Sequence, residues 1–308
     1  GSGSTLFNIT SSNDTLDLDD GSVPASGQGT VVSSASTTLS AMGAGGHVIL
    51  REDGQYVVIH GGGSTAISLW NGTRSAMTAL GVTLSANAGA GSISLRRPDG
   101  RYLVVHGGGV NTTSVIDPYG TTTVLVGPTL GGSCTTGTNA FQRADGKYAI
   151  MCGGTTATSI YDPVAGTIAA GPTAGTYGAG AHAIQRENGT FLVFLGGGVT
   201  THYIYNPGTS AVGTFTSTNP ITSNPPTISA GSFSIRRQDG KFLVMGGAIN
   251  TSSIYDSTET NASVNSGAGT MTPQSGAGLG PTVALADGAQ AVWRQDGKYL
   301  LIIGTASS

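Results

Sequence analysis

Two histidines and one cysteine are the residues of this sequence best placed to do chemistry. His60 and His106 occupy the same position in successive copies of a repeated sequence motif, directly before a run of glycines. Cys152 takes that position in the next copy. Two imidazoles and a thiolate could bind a transition metal if they met in space. In the other copies this position is apolar, and neighbouring copies would be separated by the width of a whole structural unit. We therefore predict structural roles for these residues and no metal site.

A second candidate is a series of arginines, each two residues before an Asp-Gly or Asn-Gly dipeptide. A ring of guanidinium groups could bind an anion or an acidic polysaccharide. Equivalent copies favour a scaffold role instead, because a catalytic centre is normally unique. We expect each guanidinium to pair with a nearby aspartate or to lie over the Tyr or Phe across its hairpin. The arginines are Arg51, Arg97, Arg143, Arg186, Arg237 and Arg294.

The remaining candidate groups are two cysteines and an acidic segment. Cys134 and Cys152 both lie in the third repeat, and in an oxidising compartment they would form a disulfide, with two buried thiols as the alternative. Residues 13–21 are acidic, but their spacing fails the calcium-binding loop pattern, so we interpret them as solvated turn acids. No nucleophile elbow and no isolated carboxylate pair appears. The sequence thus predicts no catalytic residue and no cofactor.

The arginines, His60, His106 and Cys152 belong to a short sequence motif that the chain repeats six times. Each copy is an apolar strand, Arg, one residue, Asp-Gly or Asn-Gly, one residue, Tyr or Phe, and a second apolar strand that runs into Gly. The intervals between copies are 46, 46, 43, 51 and 57 residues, which is typical of β-propeller blades. We expect a two-residue type I′ turn at each dipeptide, with both residues at positive φ. The dipeptides are at 53–54, 99–100, 145–146, 188–189, 239–240 and 296–297.

The second strand of each repeat is apolar on both faces. In residues 102–106, Tyr102 and Val104 point one way while Leu103 and Val105 point the other. Such a strand is buried on both sides, as it would be between two neighbouring blades. The glycines that follow it indicate a place where backbones crowd and no Cβ is tolerated.

In these features residues 40–308 resemble the kelch-type propellers, the family that includes the galactose-oxidase-like domains. The resemblance rests on the strand-terminal glycine pairs and on Tyr-Asp-Pro or its variants at 116–118, 161–163, 205–207 and 255–257. The family's fourth-strand Trp is missing. For an oxidase of this family the resemblance would imply a copper site of two Tyr and two His, and no such set can be placed here.

The sixth copy ends soon after its second strand, and the N-terminus offers the missing half. We predict an all-β, six-bladed propeller of four-stranded antiparallel blades, in which residues 1–25 complete the sixth blade and 26–308 form the repeats. Two arrangements are open: the completing strands belong to the same chain or to a neighbouring one, and donation to a neighbour would build a filament. The closing side chains are Leu6, Phe7, Leu16 and Leu18.

Composition bears on the compartment and on partners. Only 9% of residues are charged, against about 25% in an average soluble domain, and the net charge is −3. This gives no basic surface for nucleic acid or anionic membranes, and no apolar run approaches the ~20 residues of a membrane span. A hydroxyl-rich surface with few lysines favours an extracellular or cell-surface protein, and a start at Gly1 without a signal peptide is expected of a processed product. Six sequons are candidate N-glycosylation sites: Asn8, Asn13, Asn71, Asn111, Asn250 and Asn261, while Asn188 occupies a tight turn.

Three functions remain open at this point. The first is a non-enzymatic structural or adhesive subunit of an extracellular assembly, with self-association into an oligomer or filament. The second is a module that binds glycans or another protein through Tyr119, Tyr177 and residues 214–228. The third is a metal-dependent oxidase or lyase.

Overall fold

The computed structural model describes the strands of all six repeats. It covers residues 7–8, 42–70, 77–120, 123–221, 225–248, 251–258, 268–273, 289–293 and 299–303. These residues are almost entirely strands and turns, with one 3-10 helix at Pro207–Thr209 and no α-helix. In the part of the chain so described, no helix is long and apolar enough to cross a membrane.

The strands form six sheets that follow one another along the chain. Sheet 1 contains β2 (His47–Leu50), β3 (Tyr56–Ile59), β4 (Ser64–Trp70) and β5 (Thr78–Ala88). Sheet 2 contains β6 (Ile93–Arg96), β7 (Tyr102–Val105), β8 (Thr113–Ile116) and β9 (Leu125–Val126). Sheet 3 contains β10 (Thr135–Gln142), β11 (Tyr148–Gly153), β12 (Thr158–Asp162) and β13 (Thr167–Ala170). Sheet 4 contains β14 (His182–Gln185), β15 (Phe191–Phe194), β16 (His202–Asn206) and β17 (Thr214–Thr218). Sheet 5 contains β18 (Phe233–Arg236), β19 (Phe242–Met245), β20 (Ser252–Asp256) and β21 (Thr270–Pro273). Sheet 6 contains β22 (Gln290–Trp293), β23 (Tyr299–Ile303) and β1 (Phe7–Asn8).

Sheets 1 to 5 are four-stranded antiparallel meanders, as the repeat predicts. In each one the order of strands in space is their order in sequence. In sheet 3 the third strand pairs with the second and the fourth in regular register, for example Tyr148 with Tyr161 and Tyr161 with Ile168. The four-stranded antiparallel unit inferred from the sequence is therefore confirmed.

Sheet 6 has three strands among the described residues, in the order β1-β23-β22. Phe7 pairs with Ile302 and Asn8 with Ile303, but the two strands run parallel, so the prediction of an antiparallel sixth blade is wrong for this pair. The third strand of every other sheet runs antiparallel to the second because a hairpin connects them. No hairpin joins residues 303 and 7, so the chain does not impose that direction. Leu6, Leu16 and Leu18, expected to help close this sheet, lie outside the described residues.

The hydrophobic core is divided among the interfaces between consecutive sheets. Leu103 and Val105 of β7 pack towards sheet 3, where they meet Ile150, while Val104 packs towards sheet 1 and Ile59. Every one of these side chains has no exposed surface, which confirms for β7 the predicted burial on both faces. Similar clusters join sheet 3 to sheet 4 and sheet 4 to sheet 5. Sheets stacked face to face in chain order form the architecture of a β-propeller.

The hairpin turns differ from the predicted type I′ geometry. Among the described residues the only non-glycine at positive φ is Asn219, so the turn Asp does not adopt the second positive φ that type I′ requires. The Arg143 amide donates to the carbonyl of Lys147, and the Gly146 amide donates to the carbonyl of Arg143. This is a three-residue loop with a type I turn, followed by one glycine at positive φ. The aspartate favours it because its carboxylate accepts the amide two residues on, as Asp145 does from Lys147.

The first glycine after the second strand lies where backbones meet, as predicted, but a Cβ on Gly63 or Gly198, at the end of a glycine run, would meet nothing within 4 Å. A Cβ on Gly107 would lie 2.5 Å from the carbonyl oxygen of Ala90 and from the amide nitrogen of Ser92. Between sheets, a Cβ on Gly180 would overlap the carbonyl of Ser229. The glycines therefore set how closely neighbouring sheets can approach.

Candidate functional site

The arginines of the repeat are held in ion pairs at the hairpin turns. The Arg97 and Asp99 side chains are 3.1 Å apart, and the pair Arg143–Asp145 is 2.9 Å apart. Burial alone would raise the pKa of Asp99, but hydrogen bonds from Arg97 and Arg101 outweigh it and lower that pKa to about 2. Arg51–Asp53 at 2.6 Å and Arg237–Asp239 at 3.0 Å repeat the arrangement, while Arg294 lies outside the described residues.

Two of these arginines, Arg97 and Arg143, also bond a tyrosine in the following sheet. Nη1 of Arg97 in sheet 2 donates to the hydroxyl of Tyr161 in sheet 3, at 2.6 Å. Nη1 of Arg143 in sheet 3 donates to the hydroxyl of Tyr205 in sheet 4, at 3.1 Å. The aromatic partner was expected across each arginine's own hairpin, and here it belongs to the next repeat. The pKa of Tyr255 in sheet 5 is raised to about 12 by burial, although a hydrogen bond from Arg186 opposes that shift.

Sheet 2 breaks this pattern. Its third strand carries Ile116 at the position that Tyr161, Tyr205 and Tyr255 occupy in sheets 3 to 5. Ile116 has no hydroxyl for Arg51, and the Arg51 guanidinium carbon instead lies 4.2 Å from the centre of the Tyr119 ring.

His60 and His106 are buried and bonded within their own sheets. Nε2 of His60 lies 2.7 Å from Oγ of Ser68, and Nε2 of His106 lies 2.7 Å from Oγ of Ser114. Burial lowers the pKa of His106. Over the described ranges no group of three His, Cys, Asp or Glu side chains is placed to hold a metal ion.

Two further histidines join neighbouring sheets. His47 of sheet 1 lies 2.6 Å from Oγ of Ser94 in sheet 2, and His182 of sheet 4 lies 2.8 Å from Oγ of Ser234 in sheet 5. Nδ1 of His182 donates to the carbonyl of Gly180, so Nε2 accepts from the serine. Burial lowers the pKa of His182 to about 4. The sequence showed no ligand spacing for these histidines and gave no sign of this inter-sheet role.

His202 is also fixed as a neutral ring. Its Nδ1 donates to the carbonyl of Thr200, and its Nε2 accepts from the amide of Ile221. Burial lowers its pKa, and the residue has no exposed surface.

Cys134 and Cys152 are joined in a disulfide. The bond connects the start of sheet 3 to the end of β11, and both residues belong to the core between sheets 2 and 3.

The predicted glycan contact at Tyr177 is wrong. Tyr177 has no exposed surface, and its hydroxyl lies 2.8 Å from Oγ1 of Thr158. Burial raises its pKa to about 12. From the sequence, a residue in a link between strands is expected at the surface. Tyr177 is instead buried, because its hydroxyl bonds to a threonine on β12.

Two sequons have described side chains. Asn111 is half-buried, and its carbonyl accepts from the amide of Leu130. Asn188 is exposed in its turn, where its Oδ1 accepts from the amide and hydroxyl of Thr190. Asn8 is described by its strand alone, and Asn13, Asn71, Asn250 and Asn261 lie outside the described residues.

Two adjoining cavities open at the hairpin-turn end of sheets 1 and 2. The first, of about 270 Å³, is lined by Leu50, Arg51, Glu52, Arg96, Gly100, Tyr102, Pro118 and Tyr119. The second, of about 550 Å³, is lined by Asp99, Gly100, Arg101, Asp117, Tyr119, Thr123 and Leu125. Tyr119 borders both and is 44% exposed. The sequence singled out Tyr119 and Arg51, but not the other charged residues around the ring.

The comparisons with known proteins bear on the fold of this chain and not on its function. No protein-family model and no curated protein matches the sequence. Among solved structures, the chain is similar to a fungal alcohol oxidase of the AA5 family in complex with copper, with a TM-score of 0.59 and 18% identity. The match covers 84% of this chain and 58% of the oxidase, so the chain spans little more than half of that protein.

A second similar structure is a virginiamycin B lyase from Staphylococcus aureus. The TM-score is 0.54 at 10% identity, over 86% of each chain. At such identities these likenesses bear on the fold alone. Together with the stacked antiparallel sheets they support a β-propeller.

Proposed function

We propose that this protein is a non-enzymatic structural or adhesive subunit of an extracellular or cell-surface assembly. In this proposal it is a six-bladed propeller of kelch-like repeats, and the N-terminal strands complete the sixth blade in their own chain or in a neighbour. The position of β1 beside β23 supports the pairing of the two chain ends. Association through blade edges would then produce an oligomer or a filament.

The observation that carries the proposal is the chemistry of the outer sheet edges. The outermost strands of sheets 1 to 5 are β5, β9, β13, β17 and β21, and not one of them contains Asp, Glu, Lys or Arg. Soluble proteins usually guard exposed edges with charge, Pro or bulges, because unpaired backbone groups there can pair with another chain. Pro273 in β21 and irregular register beside β5 and β17 give some protection. None of the five edge strands carries a charged residue that would keep another chain from pairing with it.

The edge of sheet 3 is the best candidate for contact between subunits. Strand β13 pairs in regular register with β12, and Thr167, Ala169 and Ala170 are exposed. Val164, in the preceding turn, is 80% exposed. An uncharged strand in regular register, beside an exposed apolar side chain, is suited to pairing with an equivalent strand of a second copy.

The disposition of the ionisable groups supports a scaffold role. The described arginines before the turns engage turn aspartates and tyrosines, and the described histidines are bonded to serines or to backbone. Groups engaged in this way hold sheets together and are not presented to a substrate. The disulfide and the sequons favour an oxidising, extracellular compartment and a glycoprotein.

Assembly is tested by light scattering and electron microscopy of the purified protein. The variant Ala169→Lys puts a charge on the edge of sheet 3, and Gln238→Lys puts the same charge on an exposed hairpin turn as the control. We expect the wild type and Gln238→Lys to associate as concentration rises, and Ala169→Lys to associate less. A wild type that stays monomeric at every concentration would refute the proposal.

A metal-dependent oxidase or lyase is the rival function, since an oxidase and a lyase are among the similar structures. Elemental analysis of protein purified from its native source separates the two. Stoichiometric copper, zinc or calcium would favour the rival.

A further inference from the structure

We propose that the cavities around Tyr119 bind a neutral saccharide unit. This goes beyond the proposed function, because a subunit could assemble without any such site. The place is the turn end of the interface between sheets 1 and 2, where the pattern of the repeat is broken.

The surroundings of Tyr119 differ from the equivalent places in sheets 3 to 5. In sheets 3 to 5 a tyrosine of the third strand fills this position at the interface with the preceding sheet, and Arg97 and Arg143 bond such tyrosines. In sheet 2 the shorter Ile116 stands there, and Tyr119 lies three residues further on. The positions equivalent to Tyr119 are Val164, Gly208 and Thr258 in sheets 3, 4 and 5. Among sheets 2 to 5, sheet 2 alone therefore has an aromatic ring at this position. A feature present in one repeat is more indicative of a specific site than one present in all.

The ring is held in place and remains accessible. The Arg51 guanidinium lies against it at 4.2 Å, and the Arg51 side chain, only 9% exposed, is itself fixed by Asp53. Tyr119 is nevertheless 44% exposed and borders both cavities. An aromatic ring that a buried cation orients is a pre-organised platform for the apolar face of a ligand.

The charged side chains that line the cavities, here called the rim, supply hydrogen-bonding groups in pairs. Arg96 and Glu52 are 2.6 Å apart and well exposed, at 60% and 78% of their side chains. Arg101 and Asp99 form a second pair at 2.7 Å. Guanidinium groups donate two parallel hydrogen bonds and carboxylates accept two, which suits the vicinal hydroxyls of a sugar.

The balance of charge points to a neutral ligand. Three arginines and three carboxylates line the two cavities: Arg51, Arg96, Arg101, Glu52, Asp99 and Asp117. A phosphate or uronic acid would meet as much repulsion as attraction, and an apolar ligand would strip water from the charged rim. A pyranose has C–H groups for the ring and hydroxyls for the rim. The first cavity, at about 270 Å³, is near the lower end of small-ligand pockets, which suits one sugar unit.

The test is saturation-transfer NMR of the whole protein with neutral hexoses, pentoses and their oligomers. Uronic-acid oligomers and an acidic peptide serve as competing ligand classes. We expect a neutral saccharide to bind, Tyr119→Phe to keep the affinity, and Tyr119→Ala to lose it by about tenfold or more. Val164→Ala, at the equivalent position of sheet 3, is the matched control and should bind as the wild type does.

A second variant separates binding from folding. Glu52→Gln keeps the size of an exposed side chain and removes one charge, so it should weaken saccharide binding without changing the melting temperature. The proposal is overturned if no neutral saccharide binds, if Tyr119→Ala binds as well as Val164→Ala, or if only the acidic ligands bind. Electron microscopy of the same variants reports on assembly independently, so failure here and failure of the proposed function are distinguishable.

Discussion

Nη1 of Arg143 donates to the hydroxyl of Tyr205 across the interface between sheets 3 and 4, over 3.1 Å. The same hydroxyl donates to the carbonyl of Val212, 2.7 Å away. Arg143 also reaches the carbonyls of Ala211 and Pro207, while its side chain is only 3% exposed. One guanidinium therefore ties its own turn to the strand and loop of the next sheet.

Removing the Tyr205 hydroxyl should destabilise this interface. Tyr205→Phe leaves the buried Arg143 without one acceptor and Val212 without its donor, at a cost of about 1–3 kcal/mol in the free energy of unfolding. Urea denaturation measures the change. The control is Tyr119→Phe, an exposed ring for which we expect a change within about 0.5 kcal/mol. Equal effects of the two changes would mean that the inter-sheet bond contributes nothing.

Glycines at the same φ should differ in their tolerance of a side chain. Gly180 and Gly240 both have φ of 82°, but a Cβ on Gly180 would overlap the Ser229 carbonyl, while a Cβ on Gly240 would meet nothing within 4 Å. Gly240→Ala should lose about 1–2 kcal/mol, which is the cost of the left-handed conformation. Gly180→Ala adds displacement of the next sheet, so we expect a further ~1–3 kcal/mol.

Thermal unfolding measures the stability of the two glycine variants. Because both variants share the cost of the left-handed backbone conformation, the difference between them reports the contact between neighbouring sheets. A Gly180→Ala protein as stable as Gly240→Ala would show that neighbouring sheets do not meet there.

Most of the blade could be predicted from the sequence because its signals are local. The apolar runs and the turn dipeptide predicted the two strands that flank each turn, as β6 and β7 flank residues 99–100. The two-faced burial of Leu103 and Val104 followed from apolar character alone. The type of turn could not be predicted, because Asp-Gly is compatible both with a type I′ turn and with a type I turn followed by a glycine. Only the backbone angles distinguish the two.

The contacts between repeats could not be predicted. Arg97 and Tyr161 are 64 residues apart, and nothing local says that the next repeat, not the arginine's own hairpin, supplies the ring. Tyr177 was mistaken for a surface contact because its partner, Thr158, lies on a strand that only the fold brings near.

The disulfide should stabilise the third blade. Cys134 and Cys152 are 18 residues apart, and closing a loop of that length removes about 3 kcal/mol of unfolded-chain entropy. The double variant Cys134→Ser, Cys152→Ser should lose about that much in urea denaturation. Mass spectrometry after alkylation without reductant counts free thiols, and two modified cysteines in the wild type would contradict the bond.

Stability should fall in mild acid because buried histidines must remain neutral. The pKa of His182 is lowered from 6.5 to about 4 by burial, so between those values the unfolded chain binds a proton that the folded protein does not. The stability contributed by the neutral ring is complete above pH 6.5 and is lost as the pH falls towards 4. At about 1.4 kcal/mol per pH unit, the upper limit of this loss is about 3 kcal/mol.

His182→Gln isolates this contribution, because glutamine can still accept from Ser234 but does not titrate. Melting temperatures measured at about pH 7 and about pH 5 should fall more for the wild type than for the variant. His47, His106 and His202, whose pKa values burial also lowers, are present in both proteins and cancel in the difference. Identical pH dependence in the two proteins would mean that His182 takes up its proton in the folded state as readily as in the unfolded chain.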